Sequence, residues 1–132
     1  MGTRCLTFVY ENNEPIINIY RQYDGYIGGH GKELAEYLVG RKIINGIPVD
    51  LMDKTNVKFS NGMGCFAAGL IGHLKKDQLG NIYINDLKET NCGQDYEYHI
   101  FDNLVVVKNY SKNVMFCGTW DEFGKFCEED EE

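Results

Sequence analysis

Apolar and polar positions alternate in two parts of the chain, before residue 22 and after Gly80. Residues 4–10 (RCLTFVY) carry apolar or small side chains at both odd and even positions, which predicts a strand covered on both faces. Residues 16–22 predict a second strand, and the segment between the two is rich in turn-forming asparagine and proline. The two segments are therefore predicted to pair as a β-hairpin.

Helical spacing occurs between these two parts. In residues 62–76 apolar side chains follow i, i+3, i+4 and i+7, which predicts an amphipathic helix with Ser60 or Asn61 as its N-cap. A shorter helix is predicted over residues 32–39, and Gly40 follows it as a residue suited to end a helix. The glycines of the longer helix weaken it in isolation, so close packing against a neighbour is expected there.

Four further strands are predicted after Gly80, from the segments IYIND, YEYHIF, LVVVKNY and VMFC. Thr119 and Glu122 have the spacing of a capping box at the start of a final helix. Residues 41–59 predict a loop with one short strand around Val57.

The resulting order, β-β-α-α-β-β-β-β-α, indicates an α+β fold in which an antiparallel or mixed sheet carries about three helices on one side. The length of 132 residues fits a single domain. We expect this domain to span residues 1–127, with an acidic C-terminal tail over residues 128–132.

Charge and cysteine content restrict the classes of protein. The tail accounts for much of the formal net charge of −7, so the remaining acidic and basic residues nearly balance. This balance argues against a protein that binds long nucleic acids, which would need a basic stripe. Five cysteines without a C-x-x-C pair or a zinc-spaced histidine predict reduced thiols and a cytoplasmic protein, in the host cell if a phage encodes it. No apolar run reaches the length of a membrane span, and no metal or cofactor is predicted.

Residues 21–38 (RQYDGYIGGHGKELAEYL) contain a glycine-rich bend between the second strand and the first helix. Backbone N–H groups in such a bend can hold an anion together with the positive end of a helix. The bend lacks the spacing of a Walker A loop, because Tyr26 and Glu33 occupy required positions, and Leu34 replaces the third glycine of a dinucleotide fingerprint. The alternative is that these glycines only permit a tight turn.

Charged and aromatic side chains cluster around this bend, and they predict a site for a small anionic, nucleotide-like ligand. Arginine and lysine would neutralise a phosphate, and a tyrosine would stack on a base. The candidate ligand-binding residues are Arg4, Arg21, Tyr23, Asp24, Tyr26, Gly28, Gly29, His30, Gly31 and Lys32. No catalytic residue is predicted.

Two motifs resemble those of an uncharacterised family of small phage and bacterial proteins. They read Met1-Gly2-Thr3-Arg4-x-Leu6 and, after the hairpin, Gln22-Tyr23-Asp24-Gly25-Tyr26-x-x-Gly29-x-Gly31. The family commonly has Trp in place of Tyr23 and Pro in place of Ile27. The resemblance covers roughly the first third of the chain, and it implies a viral or mobile-element setting with no established activity.

Together these features favour a non-catalytic small-ligand-binding protein, which in a phage setting would be a sponge for a nucleotide-derived immune signal. A homo-oligomer is expected, because a small domain gains a deep pocket most easily across a symmetry axis. One alternative is a protein-interaction module that inhibits or adapts a host protein through its acidic tail and exposed strands. A further alternative is an N-terminal-nucleophile hydrolase, which would require processing that exposes Thr3.

Overall fold

A computed structural model describes residues 2–46 and 58–129 of the chain. The strands are β1 (Cys5–Glu11), β2 (Glu14–Arg21), β3 (Lys42–Ile44), β4 (Phe59–Asn61), β5 (Ile82–Asn85), β6 (Tyr96–Phe101), β7 (Leu104–Asn109) and β8 (Val114–Gly118). The helices are α1 (Lys32–Leu38), α2 (Gly62–Lys75) and α3 (Trp120–Glu128), and a single π-helical turn (Ile27–Gly31) leads into α1. The fold is α+β, as predicted.

Six strands form one mixed sheet in the order β5-β2-β1-β6-β7-β8, while β3 and β4 form a separate two-stranded sheet. Of the strand pairs that the described residues form in the large sheet, only the central one, β1 with β6, is parallel. All five residues from Cys5 to Val9 are buried, which confirms the prediction of a strand covered on both faces. The first strand of the chain therefore lies in the middle of the sheet.

The three helices cover one face of the large sheet. Side chains of β1, β2, β6 and β7 pack there against apolar residues of the helices, in a core that includes Cys5, Val9, Ile19, Tyr98, Ile100, Val107, Leu34, Phe66, Leu70, Trp120 and Phe123. Trp120 also donates from its indole N–H to the carbonyl of Phe101, 3.0 Å away. The predicted arrangement of helices on one side of the sheet is confirmed.

The connection between β5 and β6 crosses the opposite face of the sheet. There the side-chain amide of Asn18 donates to the carbonyls of Asp86 and Glu89, at 3.0 Å each. Leu6 and Phe8 point to this side and are 0% and 5% exposed. Both faces of β1 are therefore shielded from solvent between Cys5 and Val9, one by the helices and the other on the side of the connection.

Capping residues in the sequence predicted most helix ends correctly. The predicted capping box is present, because Glu122 N–H donates to the Thr119 hydroxyl and Thr119 N–H donates to the Glu122 carboxylate. Gly40 has a φ of +80° just after α1, as expected for a residue that ends a helix. α3 continues through Glu128, so the first residue of the predicted tail is helical; residues 130–132 lie outside the described residues.

The prediction for residues 41–59 was incomplete. β3 and β4 pair in parallel on either side of residues 47–57, and the strand expected around Val57 lies outside the described residues. Three residues in each strand give too little periodicity to recognise a strand from sequence.

One glycine of α2 has a packing role. A methyl group at Gly69 would collide with the Tyr37 hydroxyl, which donates to the carbonyl of Phe66 at 2.9 Å. By contrast, Gly64 and Gly72 face open space. Close packing therefore explains one of these glycines.

Within the described residues, no helix is long and apolar enough to cross a membrane.

Candidate functional site

The side chain of Arg21 at the end of β2 is buried, with 3% of its surface exposed. Its two terminal nitrogens contact both carboxylate oxygens of Glu33 at 3.0 and 3.1 Å, and its Nε donates to the carbonyl of Tyr23 at 2.8 Å. Nη1 also lies 3.2 Å from Nδ1 of His30. The guanidinium thus ties the end of β2 to the bend and to α1.

His30 connects this ion pair to the central strand. Since the guanidinium only donates, Nδ1 of His30 must accept from Arg21, and Nε2 carries the proton that it shares with the Thr7 hydroxyl 2.7 Å away. Burial, together with the charge of Arg21, holds the pKa of His30 well below its usual range, so the ring is neutral. The bend therefore folds over a buried Arg21–His30–Thr7 network.

The backbone amides of Gly29, His30 and Gly31 have acceptors within the bend itself. Gly29 and Gly31 donate to the carbonyl of Tyr26, and His30 donates to the carbonyl of Asp24. A Cβ at Gly29 would lie 2.6 Å from the Asp24 carbonyl oxygen, so only glycine fits there. The glycines permit close packing of the chain on itself. The alternative interpretation, that they only permit a tight turn, accounts for these contacts.

The three cations of the predicted site have different surroundings. Arg4 is exposed and donates to the carbonyl of Cys92 at 3.4 Å, in the β5–β6 connection. Lys32 lines a cleft of about 350 Å³ that also includes Lys58. Arg21 is buried against Glu33 and lines a different cleft, of about 560 Å³. These three side chains therefore do not converge on one phosphate-sized position.

The remaining predicted residues are divided between surface and interior. Tyr23 is 45% exposed, and Asp24 adopts a positive φ of 63° beside the 560 Å³ cleft. Tyr26 and Gly28 are partly buried. Asp24, Glu33, Glu36 and Asp77 all line that cleft, against Arg21 and Lys76 as cations, so its charge is predominantly negative.

A larger cavity lies at the end of the sheet where β1 meets β2 and β6 meets β7. It measures about 840 Å³, and we call it the strand-end cavity. Its described lining residues are Tyr10, Glu11, Asn12, Asn13, Ile43, Ile44, Asn45, Gly62, Met63, Phe101, Asp102, Leu104 and Val106. Apolar side chains form most of this surface, and asparagines and two carboxylates supply its polar groups.

A chain of polar side chains begins at this cavity and was missed by the sequence analysis. The Tyr10 hydroxyl lies 2.7 Å from Nδ1 of His99, and Nε2 of His99 lies 3.1 Å from the Glu97 carboxylate. Glu97 also accepts from Gln94, at 2.8 Å, and from Lys112. Phe8 stacks on the His99 ring, with the two planes 8° apart.

One signal for this chain is present in the sequence. Glu97 and His99 occupy alternate positions of the predicted strand YEYHIF, which places both side chains on one face. Tyr10 joins them only because β1 runs parallel beside β6, and that pairing has no local signature.

Among the described residues, no group of three or more His, Cys, Asp or Glu side chains is placed to hold a metal ion.

Comparison of the chain with protein-family models, with curated protein sequences and with solved structures gives no match in any of the three.

Proposed function

We propose that this protein binds a small molecule and that the strand-end cavity is the site. The cavity volume of about 840 Å³ supports this proposal, because it falls in the range typical of small-ligand sites. Its composition supports it as well, since a mostly apolar lining with a few polar groups both binds and orients a ligand.

The charges around the cavity favour an amine over a phosphate. Glu11 and Asp102 line it, and none of its described lining residues is Lys or Arg. Tyr10 supplies a further constraint: its hydroxyl proton is directed at His99, so its oxygen is left to accept a hydrogen bond from a ligand. We therefore propose a ligand with an apolar, ring-sized body and a protonated amine.

The experiment compares three probes of one shape by isothermal titration calorimetry: 2-phenylethylamine, 2-phenylethanol and phenylacetate. The amine should bind most tightly and the carboxylate least. Asp102→Asn keeps the turn chemistry of its position but removes one negative charge, so it should weaken binding of the amine and leave the alcohol unchanged. Asp77→Asn, at an exposed position after α2 that does not line the cavity, is the matched control. Equal affinity for all three probes would contradict the preference for an amine. Absence of binding by all three would contradict the proposal that the cavity is the binding site.

An anionic, nucleotide-derived ligand at the glycine bend stays a prediction, and so does the phage setting that suggested a sponge. Such a phosphate would compete with Glu33 for the guanidinium of Arg21. Adenosine monophosphate and a cyclic dinucleotide are included in the same titrations for this reason. Nucleotide binding that Arg21→Lys abolishes and Asp102→Asn leaves intact would move the site from the cavity to the bend.

A protein-interaction module is a second candidate, and the edge strand β8 favours it. Val114 and Met115 there are 59% and 40% exposed, and among the described residues β8 has a paired neighbour on one side only. An exposed edge strand can pair with a strand of another chain, including a second copy of this one. Native mass spectrometry tests the homo-oligomer, and Met115→Lys should dissociate it if β8 forms the contact.

A further inference from the structure

We propose that Tyr10 is a nucleophile, and that this protein transfers the acyl group of a small ester to the Tyr10 hydroxyl and then to water. The inference rests on the proposed function in one respect, since the apolar part of the ester would occupy the strand-end cavity that Tyr10 lines. It goes beyond binding because it assigns a reaction to the hydroxyl–imidazole–carboxylate chain of Tyr10, His99 and Glu97.

The hydrogen bonds orient the imidazole as a base toward Tyr10. A carboxylate only accepts, so Nε2 of His99 carries the proton that it donates to Glu97. Nδ1 is then unprotonated and accepts from the Tyr10 hydroxyl. Hydroxyl, imidazole and carboxylate therefore have the relative roles of a nucleophile, a general base and the group that orients the base.

Each group has the protonation state that this reaction needs. Burial lowers the pKa of His99, so the ring is neutral at pH 7. Hydrogen bonds from Lys112, Gln94 and His99 outweigh burial and lower the pKa of Glu97, which is thus ionised. Burial and the charge of Glu97 raise the pKa of Tyr10, so the phenol keeps its proton until the base removes it during attack.

The chemistry balances without a further reagent. Oη of Tyr10 forms a bond to the ester carbonyl carbon while Nδ1 of His99 takes the hydroxyl proton. The carbon–oxygen bond to the alcohol then breaks, and His99 returns the proton to the departing oxygen. In the second half, water attacks the acyl-tyrosine with His99 again as base, which releases the acid and restores the phenol.

A second hydroxyl–histidine pair, Thr7 with His30, shows what distinguishes a reactive arrangement from a structural one. At Thr7 the proton lies on the histidine nitrogen that faces the hydroxyl, because Arg21 occupies the opposite nitrogen of His30. His30 thus cannot take a proton from Thr7, and both residues are 0% exposed. At Tyr10 the histidine nitrogen that faces the hydroxyl is unprotonated, and Tyr10 is partly exposed at a cavity.

The test uses 4-nitrophenyl acetate as the ester and follows acetylation by intact mass and peptide mapping. Tyr10 should be acetylated in the unmodified protein, with release of 4-nitrophenol. His99→Gln should slow acetylation of Tyr10 by about 100-fold or more, the size of effect expected on loss of a general base. Tyr10→Phe, which keeps the ring that stacks on Phe101 at 4.2 Å, should lose the label, while Tyr83→Phe, at an exposed tyrosine, should keep it.

Glu97 is a positioning residue in this scheme, and its variant provides a second measurement. Glu97→Gln should reduce the rate and shift its pH profile, because the ring of His99 loses the carboxylate that favours its protonated form. The charged or titratable groups that face this ring are Glu97 on its own strand, Tyr10 on β1, Lys108 on β7 and Lys112 in the β7–β8 turn.

Two results would overturn the proposal: labelling confined to other residues of the unmodified protein, or an unchanged rate of Tyr10 acetylation in folded His99→Gln. Either result combined with binding of 2-phenylethylamine would leave the cavity as a binding site without a reaction. Acetylation of Tyr10 that depends on His99 but is not slowed by 2-phenylethylamine would support the nucleophile and contradict the proposed binding site.

Discussion

The hydroxyl of Thr7 on β1 and the Nε2 of His30 in the bend are 2.7 Å apart, at a place in the core where neither side chain reaches solvent. This hydrogen bond joins the central strand of the sheet to the segment that precedes α1. With Arg21 on the other ring nitrogen, both polar atoms of the imidazole are satisfied inside the protein. The part of the bend around His30 is therefore part of the core, and its stability depends on a few polar contacts.

Replacement of Thr7 by valine should destabilise the fold although it preserves shape. The substitution removes the acceptor of the His30 Nε2–H and leaves a buried donor unpaired. This should lower the free energy of unfolding by about 1–3 kcal/mol. Urea denaturation measures this quantity. Thr90→Val, at an exposed position, should change it little, and equal effects of the two substitutions would contradict the role of the hydrogen bond.

The protein should lose stability as the pH falls from 7 to 5. His30 and His99 have pKa values below the ordinary 6.5 in the folded state, so in this interval the unfolded chain binds protons that the folded chain does not. Each histidine contributes a slope of at most about 1.4 kcal/mol per pH unit below its unfolded pKa. Urea titrations across this range should show a shallower slope for His30→Gln than for His73→Gln. An unchanged slope in His30→Gln would mean that His30 titrates in the folded protein.

The ion pair between Arg21 and Glu33 should contribute modestly to stability. Glu33 is 37% exposed, and water screens its attraction to the buried guanidinium, so Glu33→Gln should cost about 1 kcal/mol. Thermal unfolding at low and high salt measures the effect, which should shrink with added salt. Glu36→Gln on the same helix, whose carboxylate is 70% exposed, serves as the control.

Two glycine-to-alanine substitutions should have opposite effects. Gly29→Ala places a methyl group against the Asp24 carbonyl and should destabilise the protein by about 1–3 kcal/mol, as overpacking does. Gly72→Ala meets open space in α2 and should stabilise it by about 0.5–1 kcal/mol, the difference in helix propensity. Both values follow from urea denaturation, and a neutral Gly29→Ala would show that the bend rearranges easily.

Local sequence signals were enough to predict most of the secondary structure. β6 spans the segment YEYHIF, and α3 begins at the predicted capping box, because periodicity and caps act between residues that are near in sequence. The one region predicted poorly, between α1 and α2, contains strands of three residues that leave no periodic pattern.

The candidate sites depend on contacts that sequence does not show. Arg21 has the residue type of a phosphate ligand, and only the folded structure shows that Glu33 and His30 surround it. Likewise, His99 was not among the candidate residues, because nothing local indicates that Tyr10 would lie beside it. The contact of Tyr10 with His99 follows from the pairing of β1 with β6, which are far apart in the chain. Arg21, His30 and Glu33 are close in sequence and meet because the bend folds back on the end of β2.

That pairing also has a consequence during synthesis. The backbone N–H of Arg4 reaches the carboxylate of Asp95, 91 positions later, where β1 and β6 begin to run side by side. A ribosome must therefore complete most of the chain before β1 gains its second neighbour. Until then, a nascent hairpin of β1 and β2 would leave the apolar side chains and one unpaired edge of β1 exposed, which favours binding by chaperones and aggregation. Slow translation just before β6 should lengthen this vulnerable period.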